Sequence, residues 1–156
     1  MSLYLPTQLS PHFTLDEMTR TDIRPMQDVN REQAMAFLEN GRRLANELAE
    51  PVRSILGCSI FIHSGFRCPQ LNALVGGSPV SEHQAFNAFD FAGAEWNDDD
   101  LQAALRSLLN SKLRFHQLLI EHGCLHVSLP HENDVEGEVA FWQAGMKRII
   151  RVGVSA

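Results

Sequence analysis

Cysteine is scarce in this chain: Cys58, Cys68 and Cys124 are the only three in 156 residues. They are an odd number without Cys-x-x-Cys spacing, which excludes a disulfide framework and a structural zinc cluster and suits a reducing compartment. Positive charge is also short, with 13 Lys and Arg against 19 Asp and Glu and a net charge of −6. That balance excludes a general nucleic-acid binder, which needs clustered cations, and gives no help in docking on anionic cell-wall polymers. No stretch approaches the roughly 20 apolar residues of a membrane span. The opening Met1-Ser-Leu-Tyr-Leu-Pro-Thr-Gln8 lacks the basic start and apolar run of a signal peptide. The expectation is a soluble chain made in the cytoplasm. Internal repeats, low-complexity tracts and interdomain linkers are missing too. With 44% hydrophobic residues, the length suits one domain with a real core over residues 1–156.

What the chain does have is Ser81-Glu-His-Gln-Ala-Phe-Asn-Ala-Phe-Asp90, a short segment holding a histidine and a carboxylate. A zinc hydrolase needs three protein ligands, an open position and a general base. His83 and Asp90 therefore require a second histidine elsewhere with a carboxylate beside it, and Glu121 and His126 are the natural candidates. If the chain turns after His83 and enters a strand at Ala88, Phe89 and Phe91 face the core and Asp90 the other side, with His83 beside it. Phe115–Glu121 and Leu125–Leu129 are β-prone runs around His122-Gly123-Cys124, which reads as a hairpin bringing Glu121 and His126 together.

The remainder reads as scaffold. Asn30 with Gln33 three residues later predicts a capping box, opening a long amphipathic helix through Phe37, Leu38, Leu44, Leu48, Val52 and Leu56 that Pro51 kinks or divides. Cys58–His63 predicts a strand, Pro69 the first turn of a short helix stopped at Gly76-Gly77, and Asn97 a helix start with Leu101, Leu105, Leu108 and Leu109 inward. After Pro130, His131–Gly137 reads as a loop and Arg148–Val154 as a closing strand.

Plainer readings compete. Asp98, Asp99 and Asp100 suit the first turn of a helix better than a cation site. His122 and His126 would share a helical face, but Gly123 and the β-rich flanks argue against a helix. His12, His63, His116 and His131 read as surface or hydrogen-bonded structural residues, with His63 the reserve ligand.

These residues carry a resemblance. His12–Arg20, an Arg-Leu-Ala helix ending at Glu50-Pro-Val-Arg53, Ser64-Gly-Phe-Arg-Cys-Pro69, Leu71-Asn72 and Val75-Gly-Gly-Ser78 resemble the hedgehog-type zinc peptidases. This family of D-alanyl-D-alanine carboxypeptidases and dipeptidases has a small phage-associated murein-cutting branch. The resemblance covers about residues 10–130. The family signature Ser-x-His-x-x-Gly-x-Ala-x-Asp falls on Ser81, His83, Phe86, Ala88 and Asp90, with phenylalanine in place of glycine.

The resemblance implies an α+β fold with a small, mostly antiparallel sheet packed against helices and a zinc cleft on the sheet face. It implies one zinc ion per chain on His83, Asp90 and His126, Glu121 as general base, Arg67 polarising the scissile carbonyl, and Ser81 positioning substrate or the ligand loop. The implied activity is hydrolysis of peptidoglycan stem peptides, at a D-alanyl-D-alanine end or an L-alanyl-D-glutamate bond. Such a chain reaches murein by lysis, by a holin-like route or within a phage particle. Two departures stand against it. Phe86 resists positive φ and has the bulk to narrow the cleft, and Cys124-Leu125 replaces an aromatic residue, altering a substrate wall or offering a competing thiolate. The alternative is a catalytically silent, zinc-stabilised binding or structural module, such as a phage tail or cell-wall-binding component.

Overall fold

The computed structural model describes residues 7–131 in full and the backbone of two later strands, 136–143 and 146–153. Thr14 accepts a hydrogen bond from the Glu17 amide while Glu17 reaches back to the Thr14 amide, a capping box that starts α1, Leu15–Thr19. A 3-10 turn at Arg24–Met26 follows. Three helical pieces then run on from one another: α2, Gln27–Ala34, α3, Leu38–Leu44, and α4, Glu50–Leu56. A 3-10 turn, Met35–Phe37, joins the first two, and a π-helical turn, Ala45–Ala49, joins the last two. The division expected at Pro51 thus falls just ahead of it, where the Glu50 amide reaches back to the Ala45 carbonyl.

The helix start expected at Asn30 is corrected. The helix begins at Gln27, and Asn30 is a buried interior residue. Its amide nitrogen donates to the carbonyls of Thr19 (2.8 Å) and Phe66 (2.9 Å), and its oxygen accepts from the Cys68 amide (2.8 Å). A side chain that satisfies three backbone groups of distant segments does more for the fold than a cap would. Asn30 pins α1 and the Ser64–Pro69 segment to one helix.

The sheet is built from β1, Phe61–Ser64, β2, Ala88–Ala92, β3, Gln117–Glu121, β4, Cys124–Ser128, β5, Glu136–Gln143, and β6, Met146–Gly153. Their order is β1-β2-β4-β3-β5-β6, antiparallel throughout except for the parallel β3–β5 pair. Two further helices are α5, Pro69–Leu74, with Pro69 at its start, and α6, Asp98–Leu109, opened by an Asn97/Asp100 capping box. Those acidic residues occupy the first turn, as the dipole reading expected. The class is α+β, a mostly antiparallel sheet packed on helices. Of the loop expected at His131–Gly137, residues 132–135 lie outside the described residues, while Glu136 and Gly137 begin β5. The closing strand is present as β6; Val154 lies outside the described residues.

Phe89 and Phe91 are fully buried on the core face with Leu118, Leu125 and Val127, and the core takes in Leu44, Leu48 and Val52 from the helical run and Leu101, Leu105 and Leu108 from α6. Leu109, expected inside, is only partly buried. Phe86 corrects two expectations at once. It does adopt positive φ, at φ 62° and ψ 36°, closing the turn that carries His83. Its ring does not enter the cleft: it is fully buried, 5.5 Å from the Phe66 ring. Gly41 makes the room, since a Cβ there would stand 2.7 Å from the Phe86 ring. The left-handed backbone costs a non-glycine residue about 1–2 kcal/mol, a cost offset by the roughly 1.5–3 kcal/mol of burying a phenylalanine.

Candidate metal centre and cleft

Each side chain of the centre is held by a local device. Ser81 caps the 3-10 turn Glu82–Ala85 by accepting from the His83 amide (3.3 Å). This presents the His83 ring inward, where it is 1% exposed. Asp90 lies on β2 directly opposite His126 on β4, on the face opposite Phe89 and Phe91. A bulge between Ile62 and Ser64 in β1 shifts the register beside Asp90. The chain then passes Gly65, where a Cβ would clash with the Met18 carbonyl oxygen at 2.2 Å. Only glycine permits that approach, and it leaves the Gly65 carbonyl facing His83.

Three donor atoms converge. His83 Nε2 and His126 Nδ1 are 3.2 Å apart, Asp90 Oδ1 lies 2.8 Å from His126 Nδ1, and 3.3 Å from His83 Nε2. A tetrahedron of zinc–nitrogen bonds of about 2.0–2.1 Å has edges of roughly 3.3 Å. The donor chemistry agrees with the spacing. His83 Nδ1 is 2.6 Å from the Gly65 carbonyl oxygen, which can only accept, so Nδ1 carries the proton and neutral His83 turns a bare lone pair of Nε2 toward Asp90. Burial pushes His83 below its ordinary pKa, against the pull of Asp90. Burial also opposes the charge on Asp90, but His83 and His126 outweigh it and hold the carboxyl well below the usual range. A lone pair and a carboxylate oxygen aimed at one another are a donor arrangement that could hold a metal ion, and two imidazoles with one carboxylate suit zinc.

These residues line a cleft of about 640 Å³ that also takes in Arg67, Ser81, Glu121, Cys124 and His63. Arg67 is largely buried, its Nε without a hydrogen-bond partner and one terminal nitrogen 3.4 Å from Ser81 Oγ. Burial lowers its pKa, while Asp90 and Glu121 pull the other way. The hairpin is tighter than expected. His122 (φ 51°) and Gly123 (φ 74°) form a two-residue turn, and Cys124 belongs to β4, paired with Glu121. Leu119 faces His126 directly, so Glu121 is its diagonal neighbour on the same face. The Glu121 carboxylate lies 3.3 Å from His122 Nε2 at the cleft mouth. Burial and the charge on Asp90 push the Cys124 thiol up to about 11, and Cys124 lines the cleft outside the cluster of three, in keeping with a place in the cleft wall. His63, at the bulge, lines the cleft but stands outside the cluster of three.

Sequence reasoning missed a second gathering. Glu82, His116 and His131 also bring one ligand atom each within 4.8 Å of one another. The signal was weak, because these residues come from three segments, and only Glu82 sits in a dense motif, where His83 and Asp90 drew the ligand assignment.

Two imidazoles, two carboxylates and a guanidinium sharing one cleft on an α+β scaffold are the equipment of a metal-dependent hydrolase. The chain belongs to the peptidase M15 family, whose model matches residues 11–128. Comparison with curated proteins finds no match. Family and cluster together make it a metallopeptidase by class.

Proposed function

We propose that this protein is a zinc peptidase that hydrolyses peptide bonds of peptidoglycan stem peptides, with one catalytic zinc held by His83, Asp90 and His126. The observation that carries the reading is the mutual spacing of the three donor atoms, 2.8–3.3 Å, with the His83 tautomer set by Gly65. When bound, zinc polarises a peptide carbonyl and lowers the pKa of water towards neutrality. Glu121, at the cleft mouth, takes the proton of the attacking water and returns it to the leaving amine nitrogen. The Arg67 guanidinium faces the carbonyl oxygen as it becomes negative, inside a site where burial strengthens the attraction. Ser81 holds Arg67 and the His83 turn together. The stem-peptide substrate rests on the resemblance of the Ser64–Pro69 and Ser81–Asp90 motifs.

The rival reading, a silent binding module, drew on Phe86 as an obstruction; with that ring in the core it loses its support. Digestion of purified murein, followed by mass spectrometry for newly freed amino groups, tests the activity. Zinc-loaded protein should release them and Glu121→Ala should not. No release by the loaded wild type, beside a working control enzyme, would sink the peptidase reading and leave the binding module.

A further inference from the structure

We propose that Glu82, His116 and His131 form a second binding site for a divalent transition-metal ion of the zinc type, at the rim of the same cleft. The donor set repeats that of the first centre: two imidazoles and one carboxylate, with all three ligand atoms within 4.8 Å of one another. His131 Nε2 lies 2.7 Å from Glu82 Oε1, and the His116 and His131 rings stack at 3.6 Å with 13° between their planes. The cluster sets two imidazoles beside a carboxylate, a mixed nitrogen and oxygen donor set that suits zinc better than calcium or magnesium.

The backbone holds the three segments in place. The His116 amide bonds to the Ser128 carbonyl (2.9 Å), and the Gln117 amide bonds to Ser128 Oγ (3.0 Å). The Asn87 amide bonds to the Glu82 carbonyl (3.0 Å), and the Leu129 amide to the Asn87 carbonyl (2.8 Å). The turn that carries Glu82 is thereby tied to the chain two residues ahead of His131, and Pro130 stiffens the step between. Binding an ion there takes two side-chain movements: the 2.7 Å contact opens to the roughly 3.3 Å edge of a zinc tetrahedron, and the His131 ring, 47% exposed, turns out of its stack on His116 so that the two in-plane lone pairs converge. The exposure that eases entry also weakens retention, so the rim site fills after the buried one. Glu82 adjoins His83 in the chain, so an ion at the rim clamps the segment after β4 onto the turn that presents the inner ligand.

Zinc titration of the metal-stripped full chain, read by calorimetry and by elemental analysis after equilibrium dialysis, tests the site without using activity. Wild type should take up two zinc ions per chain. His116→Ala/His131→Ala should take up one, as should the milder His131→Gln should the double variant fail to fold. Asp90→Asn, which removes the inner carboxylate, should keep the rim ion. Equal uptake by wild type and the rim variant overturns the proposal, whereas unchanged uptake by Asp90→Asn counts against the inner centre alone.

Discussion

Phe89 and Phe91 enter one face of β2 and Asp90 the other, one residue apart, and the two faces meet opposite requirements. On the core face every ring is covered, and even the costly φ of Phe86 is offset by burial in the space that Gly41 leaves. On the cleft face His83, Asp90 and His126 point donor atoms at one another, and the Arg67 Nε is buried without a hydrogen-bond partner. The contrast teaches that converging polar groups gather on the face that opens to the cleft, while the other face is given over to packing. Core-face changes should therefore alter stability and spare chemistry. Cleft-face changes should do the reverse.

The largest expected effect is Glu121→Ala, which should slow peptide hydrolysis by about 10²–10⁴-fold while zinc content and the thermal midpoint stay near wild type. His83→Ala should lose both zinc and hydrolysis. Equal zinc loss in the two variants would place Glu121 among the ligands and blur the division of labour.

On the other face, Phe86→Ala should cost about 3–5 kcal/mol in denaturant unfolding, because it empties core space and keeps the strained φ. The folded variant should still bind zinc. Gly41→Ala should cost about 1–3 kcal/mol by pressing on the same ring. Loss of zinc from folded Gly41→Ala would mean that the two faces are coupled.

The smallest effect falls away from both faces. Burial opposes the charge on Glu50, but hydrogen bonds from Ser10, the His12 ring and the His12 amide hold its pKa below the ordinary value. A depressed carboxyl stabilises the fold above its unfolded pKa and loses that contribution as pH falls through the folded one. Glu50→Gln should thus cost about 1 kcal/mol at neutral pH. The gap from wild type in chemical denaturation should narrow as pH drops below the ordinary glutamate range.

Much of this was legible in the chain, for reasons that differ by residue. The Phe-Asp-Phe alternation of β2 has the period of a strand, and Asn97/Asp100 caps a helix with its own neighbours, so both could be read locally. Asn30 shows the same local signal as Asn97, yet its partners are Thr19, Phe66 and Cys68, which only tertiary packing brings to it. Phe86 was misread because its ring depends on Gly41, 45 positions away. Cys124 was placed in the turn because a three-residue loop and a two-residue loop look alike until strand pairing fixes the register. The rim cluster could not be read, since His116 and His131 meet only through β3 and β4.

The central claim is that the inner cluster is a metal centre, and the metal content of untagged protein tests it most directly. Elemental mass spectrometry after extensive dialysis against metal-free buffer, which empties the weaker rim site, should find about one zinc per chain in wild type and almost none in His83→Ala. No metal in wild type even after zinc is supplied, or equal zinc in the two proteins, would contradict the account.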